Sequence, residues 1–137
     1  MASIHREIQL SASPAAVWDV IRDIGNAHHR LFPGVLTDVQ LEPGGRTVTF
    51  ANGLVVRERT LELNDELRRY SWTATGGLTT HHNASLQVLE NADGSTRVVW
   101  ITELLPNDLQ EAIGGLVDAG AAVMKNTLES ATASTST

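Results

Sequence analysis

Apolar and polar residues alternate along most of the first 105 residues, a pattern typical of strands with one buried face. The first alternating run covers residues 3–10. Ser13-Pro14 then marks the start of a helix, because serine is a good N-cap and proline is tolerated in the first turn. Apolar residues from Val17 to Ile24 follow at helical spacing. The chain therefore begins with one strand and one short helix.

Six further strands are predicted after a short helical or irregular piece at residues 27–32. Turn residues separate these strands from one another. The strongest of the turn signals is Asn52-Gly53, since this dipeptide favours a two-residue hairpin loop. The predicted strands are Val35–Leu41, Arg46–Ala51, Leu54–Leu63, Leu67–Thr75, Thr80–Leu89 and Thr96–Leu105.

A long helix is predicted at the end of the domain, from a cap at Asn107 or Asp108 to about residue 130. Gly114, Gly115 and Gly120 lie inside it, although each interior glycine costs about 0.5–1 kcal/mol relative to alanine. Two explanations are open, namely close packing against a strand and room for a ligand. The predicted apolar face comprises Leu109, Ile113, Leu116, Val117, Met124 and Leu128.

The order of the elements predicts an α+β domain: one strand, two short helices, six strands and one long helix. An antiparallel sheet with one apolar face needs a cover, and the C-terminal helix is the long amphipathic element available. We therefore expect a curved seven-stranded antiparallel sheet wrapped on that helix. Aromatic residues make up only 4% of the chain, so few large side chains are available to fill the space between sheet and helix. An internal cavity is expected for that reason.

The composition is that of a soluble single-domain protein. The 137 residues suit one domain, expected at residues 1–130, with a low-complexity tail at residues 131–137 that we expect to be disordered. The formal charge of −6 and the scarcity of lysine argue against binding of nucleic acid. The chain has no cysteine, no apolar run of membrane-spanning length and no signal-peptide pattern. We expect a cytoplasmic protein that does not bind membranes.

The strand predicted at residues 54–63 carries a carboxylate between two guanidinium groups, in the block Arg57-Glu58-Arg59. Side chains alternate along a strand, so Glu58 points inward if the two arginines face water. An inward carboxylate needs a partner, a ligand or a reaction. Glu58 could therefore form a salt bridge with an arginine of a neighbouring strand, or it could anchor a ligand or transfer a proton on a cavity wall.

Two histidine pairs, His28-His29 and His81-His82, are the other titratable candidates. They are either exposed loop residues or general acids and bases for chemistry near neutral pH. Neighbouring residues of a strand point to opposite faces, so at most one of His81 and His82 enters a cavity. Alternation with Ala84 favours His82. No spacing of three or four ligands predicts a metal site, and no motif implies a cofactor.

Short sequence blocks spread along the chain carry a family resemblance. They are Ser13–Trp18, Phe32–Val35, Val56–Arg59, Arg68–Trp72 and Gly94–Trp100, followed by the long final helix. This ordered set covers about residues 3–130 and resembles the bacterial polyketide cyclase/dehydrase-like branch of the START-like superfamily, also called SRPBCC or Bet v 1-like.

The resemblance implies a helix-grip fold with a hydrophobic cavity between the sheet and the long helix. It places Glu58, Trp72 and Trp100 on the cavity wall. For the strand that holds the second histidine pair, it favours the face of His81, so the choice between His81 and His82 stays open. Further candidate groups are Tyr70 beside the two tryptophans, which either fill the core or offer flat surfaces to a ligand, and the polar residues Asn83, Ser85 and Thr102.

Fold alone does not decide an activity, because this superfamily contains enzymes, carriers and sensors. We expect a hydrophobic, carbonyl-bearing small molecule in the cavity and a cofactor-independent acid–base cyclisation or dehydration. In that hypothesis Glu58 transfers a proton or anchors the ligand, helped by His81 or His82. The alternative is a non-catalytic binder, carrier or sensor of a hydrophobic molecule. A monomer or a homodimer is expected in either case.

Overall fold

The computed structural model describes the backbone of residues 1–135 and the side chains of residues 1–130. Residues 136 and 137, at the end of the expected disordered tail, lie outside the described residues. Short 3-10 turns precede the second and third helices. The elements are β1 (Ala2–Leu10), α1 (Pro14–Ile21), α2 (Ala27–Arg30), β2 (Leu36–Glu42), β3 (Gly45–Phe50), β4 (Val55–Asn64), β5 (Arg69–Thr75), β6 (His81–Glu90), β7 (Thr96–Leu105) and α3 (Gln110–Thr135).

The strands form one seven-stranded antiparallel sheet, in the order β1-β7-β6-β5-β4-β3-β2. The register shifts between Leu36 and Asp38 in β2 and between Thr60 and Glu62 in β4. Such irregularities bend and twist a sheet. One face of the sheet packs against the helices, and the predicted helix-grip architecture is confirmed.

The first helix is positioned by its N-terminal residues. The Ser13 hydroxyl accepts a hydrogen bond from the backbone N–H of Ala16 at 3.2 Å, and Pro14 occupies the first turn. Val17, Trp18 and Ile21 are buried at helical spacing and pack on the inner face of the sheet. The predicted start of this helix is confirmed, and so is its apolar stripe up to Ile21, whereas Ile24 lies in the 3-10 turn after the helix.

The β3–β4 hairpin differs from the prediction in the length of its loop. The Phe50 N–H donates to the Leu54 carbonyl at 2.8 Å, so the loop has three residues, Ala51-Asn52-Gly53, rather than two. Gly53 has a φ of 89°, the left-handed conformation that closes a three-residue loop. The register that follows from this loop places Arg46 directly opposite Glu58.

The long helix α3 covers the sheet with Val117, Met124 and Leu128, which are buried as the pattern predicts. Burial of each such side chain contributes about 1.5–3 kcal/mol. Leu116 is 64% exposed, so its assignment to the buried face was wrong. Leu116 precedes Val117 by one residue, a rotation of about 100° around the helix that turns it away from the core. The helix also continues to Thr135, beyond the end predicted near residue 130.

Candidate functional site

A cavity of about 160 Å³ lies between the inner face of the sheet and α3. Most of its wall is apolar, contributed by β2 to β7, by the loop between β5 and β6, by α3 and by the segment between α2 and β2. The apolar lining residues include Phe32, Val35, Leu36, Phe50, Val56, Trp72, Ala74, Ala84, Ile113, Val117 and Gly120, and the polar groups come from Arg46, Glu58, Thr79, His82, Trp100 and Thr102.

Three exposed leucines form the mouth of the cavity. Leu54 precedes β4, Leu78 lies in the loop between β5 and β6, and Leu116 lies on α3. Leu78 is 76% exposed, so the rim of the cavity presents apolar surface to solvent. Leu116, which does not belong to the buried stripe of its helix, is explained by this position.

The structure places Glu58 on the cavity wall and points Arg57 and Arg59 outward. The Glu58 carboxylate is paired there with Arg46, whose Nε and Nη2 both lie 2.9 Å from Oε1. Glu58 is 8% exposed and Arg46 is 5% exposed, so the ion pair is buried. Of the alternatives open for Glu58, the structure thus shows a salt bridge to the neighbouring strand, with the arginine also on the cavity wall.

Arg46 is held by two further contacts. Its Nη1 donates to the Ile24 carbonyl at 2.8 Å, and its guanidinium carbon lies 5.4 Å from the centre of the Tyr70 ring. Burial raises the pKa of the Tyr70 phenol, against the opposing effect of the Arg46 charge. Sequence reasoning missed Arg46 as a site residue, because only the register of the hairpin identifies it as the partner of Glu58.

The second histidine pair divides between the two faces of β6, as alternation requires. His82 shares the inward face with Ala84 and lines the cavity, whereas His81 is not among the lining residues. Burial, and to a smaller extent the charge of His81, lowers the pKa of His82. The neutral imidazole, which can accept a proton, is therefore favoured at His82 near neutral pH.

The first histidine pair lies apart from the cavity, on α2. The centroids of the two rings lie 3.9 Å apart, and the ring planes are tilted by 34°. Neither His28 nor His29 belongs to the cavity lining, so this pair takes no part in the site.

The remaining predicted site residues fall into two groups, those that line the cavity and those that do not. Trp72, Trp100 and Thr102 line the cavity. Tyr70 is buried behind Trp72, and their rings stack at 4.9 Å. Asn83 and Ser85 lie on the other face of β6 and do not line the cavity, because each is one residue out of phase with His82 and Ala84.

Two polar atoms of lining residues are buried without a hydrogen-bond partner in the described part of the chain. They are Nε1 of Trp100 and the hydroxyl oxygen Oγ1 of Thr102. Both residues project from β7 on the side that faces α3, two positions apart along the strand. A buried donor without a partner costs about 1–3 kcal/mol. Each of these two groups can therefore still form a favourable hydrogen bond.

Among the described residues, no cluster of three or more acidic, histidine or cysteine side chains is arranged to hold a metal ion. None of the helices in that part of the chain has the length and apolar character needed to cross a membrane.

The sequence model of the polyketide cyclase/dehydrase and lipid transport family matches residues 1–134, which is nearly the whole chain. The chain belongs to this family. The family falls within the START-like, or SRPBCC, superfamily, and the resemblance inferred from the sequence blocks is thereby confirmed. No functionally curated protein matches the chain by sequence.

Solved structures with the same fold include proteins of several kinds. XoxI from Bacillus cereus is 20% identical with a TM-score of 0.83, and the match covers 96% of this chain and 95% of XoxI. A protein from Thermobifida fusca is 30% identical with a TM-score of 0.72 and coverages of 94% and 91%. Norcoclaurine synthase from Thalictrum flavum is 21% identical with a TM-score of 0.71 and coverages of 93% and 91%. At such identities, XoxI and norcoclaurine synthase support the fold only.

Proposed function

We propose that this protein binds a small apolar molecule that carries a hydrogen-bond acceptor, such as a carbonyl group, in the cavity between the sheet and α3. The observation that carries the proposal is the pair of buried, unpartnered groups on β7, Trp100 Nε1 and Thr102 Oγ1, among the described residues. A mostly apolar pocket with a few polar groups is the usual form of a small-molecule site.

The chemistry of these two groups defines the ligand. An indole N–H can only donate a hydrogen bond, and a hydroxyl can donate one as well. A carbonyl oxygen would accept from Trp100, from Thr102 or from both, and would relieve the cost of leaving them unpaired. The apolar wall then favours a ligand whose remaining surface is hydrocarbon.

Binding is favoured over catalysis by Glu58 because of the contacts of this carboxylate. In the described part of the chain, its hydrogen-bond partner is Arg46. An arginine side chain keeps its proton in proteins and cannot relay one. A proton-transfer role would need a second exchangeable group within hydrogen-bond reach. We therefore assign the ion pair a structural role, as a fixed polar part of the cavity wall.

Acid–base catalysis is the second candidate function, and His82 is the residue that favours it. His82 lines the cavity, and its lowered pKa favours the neutral form that can accept a proton. His82 would remove a proton from the carbon next to the carbonyl, and the electron pair of that C–H bond would form the enolate. Such a step begins many cyclisations and dehydrations, and members of the family are cyclases and dehydrases.

Binding is tested by isothermal titration calorimetry with acetophenone, a single aromatic ring bearing a carbonyl group. We expect the wild type to bind it and Thr102→Val to bind about tenfold more weakly, the value of one hydrogen bond of about 1.4 kcal/mol. Thr96→Val is the matched control, because Thr96 lies on the same strand and face but outside the cavity lining, and donates to the Ala12 carbonyl at 2.6 Å.

Thr96→Val should lower stability and leave acetophenone affinity unchanged, whereas Thr102→Val should weaken binding without lowering stability. Absence of acetophenone binding by the wild type, or equal affinity of wild type and Thr102→Val, would refute the proposal. Exchange of the methyl protons of acetophenone in D₂O, followed by NMR, tests the second candidate. Acceleration by the wild type that His82→Gln abolishes would establish catalysis, and no acceleration would leave binding alone.

A further inference from the structure

We propose that the cavity accepts a ligand with a single ring and excludes a fused second ring, and that Gly120 of α3 sets this limit. The inference rests on the proposed function, because it assumes that the cavity is a ligand site, and it adds the size class of the ligand and the residue that decides it.

The volume of the cavity indicates the size of the ligand. An apolar cavity of about 150 Å³ holds one benzene molecule, whereas sites for drug-sized molecules measure about 300–1,000 Å³. The cavity here is about 160 Å³. It has room for one aromatic ring with a small substituent. A fused two-ring ligand exceeds this volume, so it fits only if the walls move apart or the second ring extends out through the mouth.

Aromatic faces in the wall suit a flat ring. The rings of Phe32 and Trp100 lie 5.7 Å apart at an angle of 48°, and Trp72 is stacked on Tyr70 behind the wall. Aromatic groups interact favourably at centroid separations of about 4.5–7 Å. A ring in the cavity would therefore contact Phe32, Trp72 and Trp100, all of which line it.

Gly120 is the point at which α3 comes close to these aromatic side chains. A Cβ atom built at Gly120 would lie 3.1 Å from Cη2 of Trp100, 3.5 Å from Cζ3 of the same ring and 3.6 Å from Cε1 of Phe32. The first of these distances is shorter than an ordinary van der Waals contact. The indole edge thus occupies the space that a side chain at position 120 would need.

The position of Trp100 links this contact to the ligand. The cavity lies between the helix and the sheet, so an indole displaced from α3 moves toward the space available to a ligand. Gly120→Ala therefore reduces the cavity without adding a bulky group to it. Close packing against a strand and room for a ligand were the two explanations open for the helix glycines. Both apply to Gly120, because its close packing on Trp100 of β7 preserves the room for a ligand.

Gly115 supplies the matched comparison on the same helix. It is exposed, it does not line the cavity, and a Cβ atom built there has no neighbour within 4 Å. Both Gly115→Ala and Gly120→Ala improve the helix propensity by about 0.5–1 kcal/mol, so their difference reports the contact with Trp100. Val117→Ala is the opposite change, since it removes two methyl groups from the wall.

The experiment compares acetophenone with 2-acetonaphthone, which has the same carbonyl and one more fused ring, by calorimetric titration of the wild type and the three variants. We expect the wild type to bind acetophenone about tenfold or more tightly than 2-acetonaphthone, in line with the selectivity that a packed apolar pocket achieves. Gly120→Ala should weaken acetophenone binding severalfold, Gly115→Ala should match the wild type, and Val117→Ala should shift the preference toward 2-acetonaphthone.

The outcomes separate the two proposals. If the wild type binds both ketones and prefers 2-acetonaphthone, the size limit is overturned and the proposed function stands. If Gly120→Ala binds both ketones as the wild type and Gly115→Ala do, Gly120 does not set the limit. If neither ketone binds the wild type, the proposed function fails and the size limit with it. Circular dichroism of the variants verifies that each is folded.

Discussion

Glu58 and Arg46 bring opposite charges into the wall of a mostly apolar cavity, and each is buried because the other is present. Nε and Nη2 of Arg46 converge on one carboxylate oxygen at 2.9 Å. Moving two charges from water into a protein interior costs several kcal/mol per ion, and their attraction offsets that cost only while both are present. The loss of one member therefore destabilises the folded protein strongly, whereas the loss of both destabilises it much less.

We expect Glu58→Gln to lower the free energy of unfolding by about 3–5 kcal/mol, because it leaves the buried guanidinium of Arg46 without a counter-charge. The double variant Arg46→Met/Glu58→Met should be more stable than either single methionine variant. Urea denaturation measures all of them. The control is Arg57→Met on the same strand, whose ion pair with Glu42 is exposed and contributes about 0–1 kcal/mol.

Additive effects of the two methionine substitutions would contradict the coupling inferred from the geometry.

His82 gives stability a pH dependence of known sign. Its pKa is lowered in the folded protein, chiefly by burial, so the unfolded chain binds a proton there more readily than the folded one. The stabilisation is fully present above the unfolded pKa of about 6.5 and is lost as the pH falls below it. We expect the wild type to lose stability between about pH 7 and pH 5.5, and His82→Gln to lose less over the same range.

Thermal unfolding across this pH range makes the measurement, with exposed His5→Gln as the control. A His82→Gln profile parallel to that of the wild type would show that His82 does not titrate as its burial requires.

At the scale of elements, one carboxylate connects α1 to the turn between β4 and β5. Asp65 accepts hydrogen bonds from Trp18 Nε1 at 2.8 Å and from Arg22 Nε at 2.7 Å. The Arg22 bond, followed by the Trp18 bond, lowers the pKa of Asp65. Trp18 is buried, so its indole N–H depends on this acceptor, whereas the ion pair with Arg22 is exposed.

We expect Asp65→Ala to lower Tm by several degrees and Asp65→Asn to lower it much less, because asparagine can still accept from the indole of Trp18. Differential scanning calorimetry distinguishes the two variants. Asp38→Ala is the control, since the Asp38 carboxylate accepts its side-chain hydrogen bonds from the exposed side chain of Gln40. Equal losses for Asp65→Ala and Asp65→Asn would mean that the charge, and not the indole acceptor, connects the two elements.

The elements themselves followed from the sequence with small errors at their ends. Ser13-Pro14 identified the start of α1, and the alternating runs identified all seven strands within a few residues. Leu116 shows where a local pattern was insufficient. It is apolar and next to the buried stripe of α3, yet it is exposed at the mouth of the cavity. Apolarity alone does not distinguish a core residue from one that lines a ligand site.

At the scale of the whole molecule, the fold was predictable because few arrangements of these elements bury their apolar faces. An antiparallel sheet with one apolar face needs a cover, and α3 is the long helix that provides it. The residues of the cavity wall were predictable only in part. Glu58, Trp72, Trp100 and Thr102 could be placed on the wall, but Phe32, Arg46 and Gly120 come from separate elements that the sequence does not bring together.

The sequence by itself determined which side chains share a face of each strand, because side-chain direction depends on the local backbone and repeats every two residues. Glu58 therefore had to point away from Arg57 and Arg59. The tertiary structure alone decided what Glu58 meets. The three-residue loop at Gly53 places Arg46 opposite it, whereas a two-residue loop would have paired it with Thr47. A register change of one residue exchanges the partners across a whole strand pair, so the conformation of the loop settled the partner of Glu58.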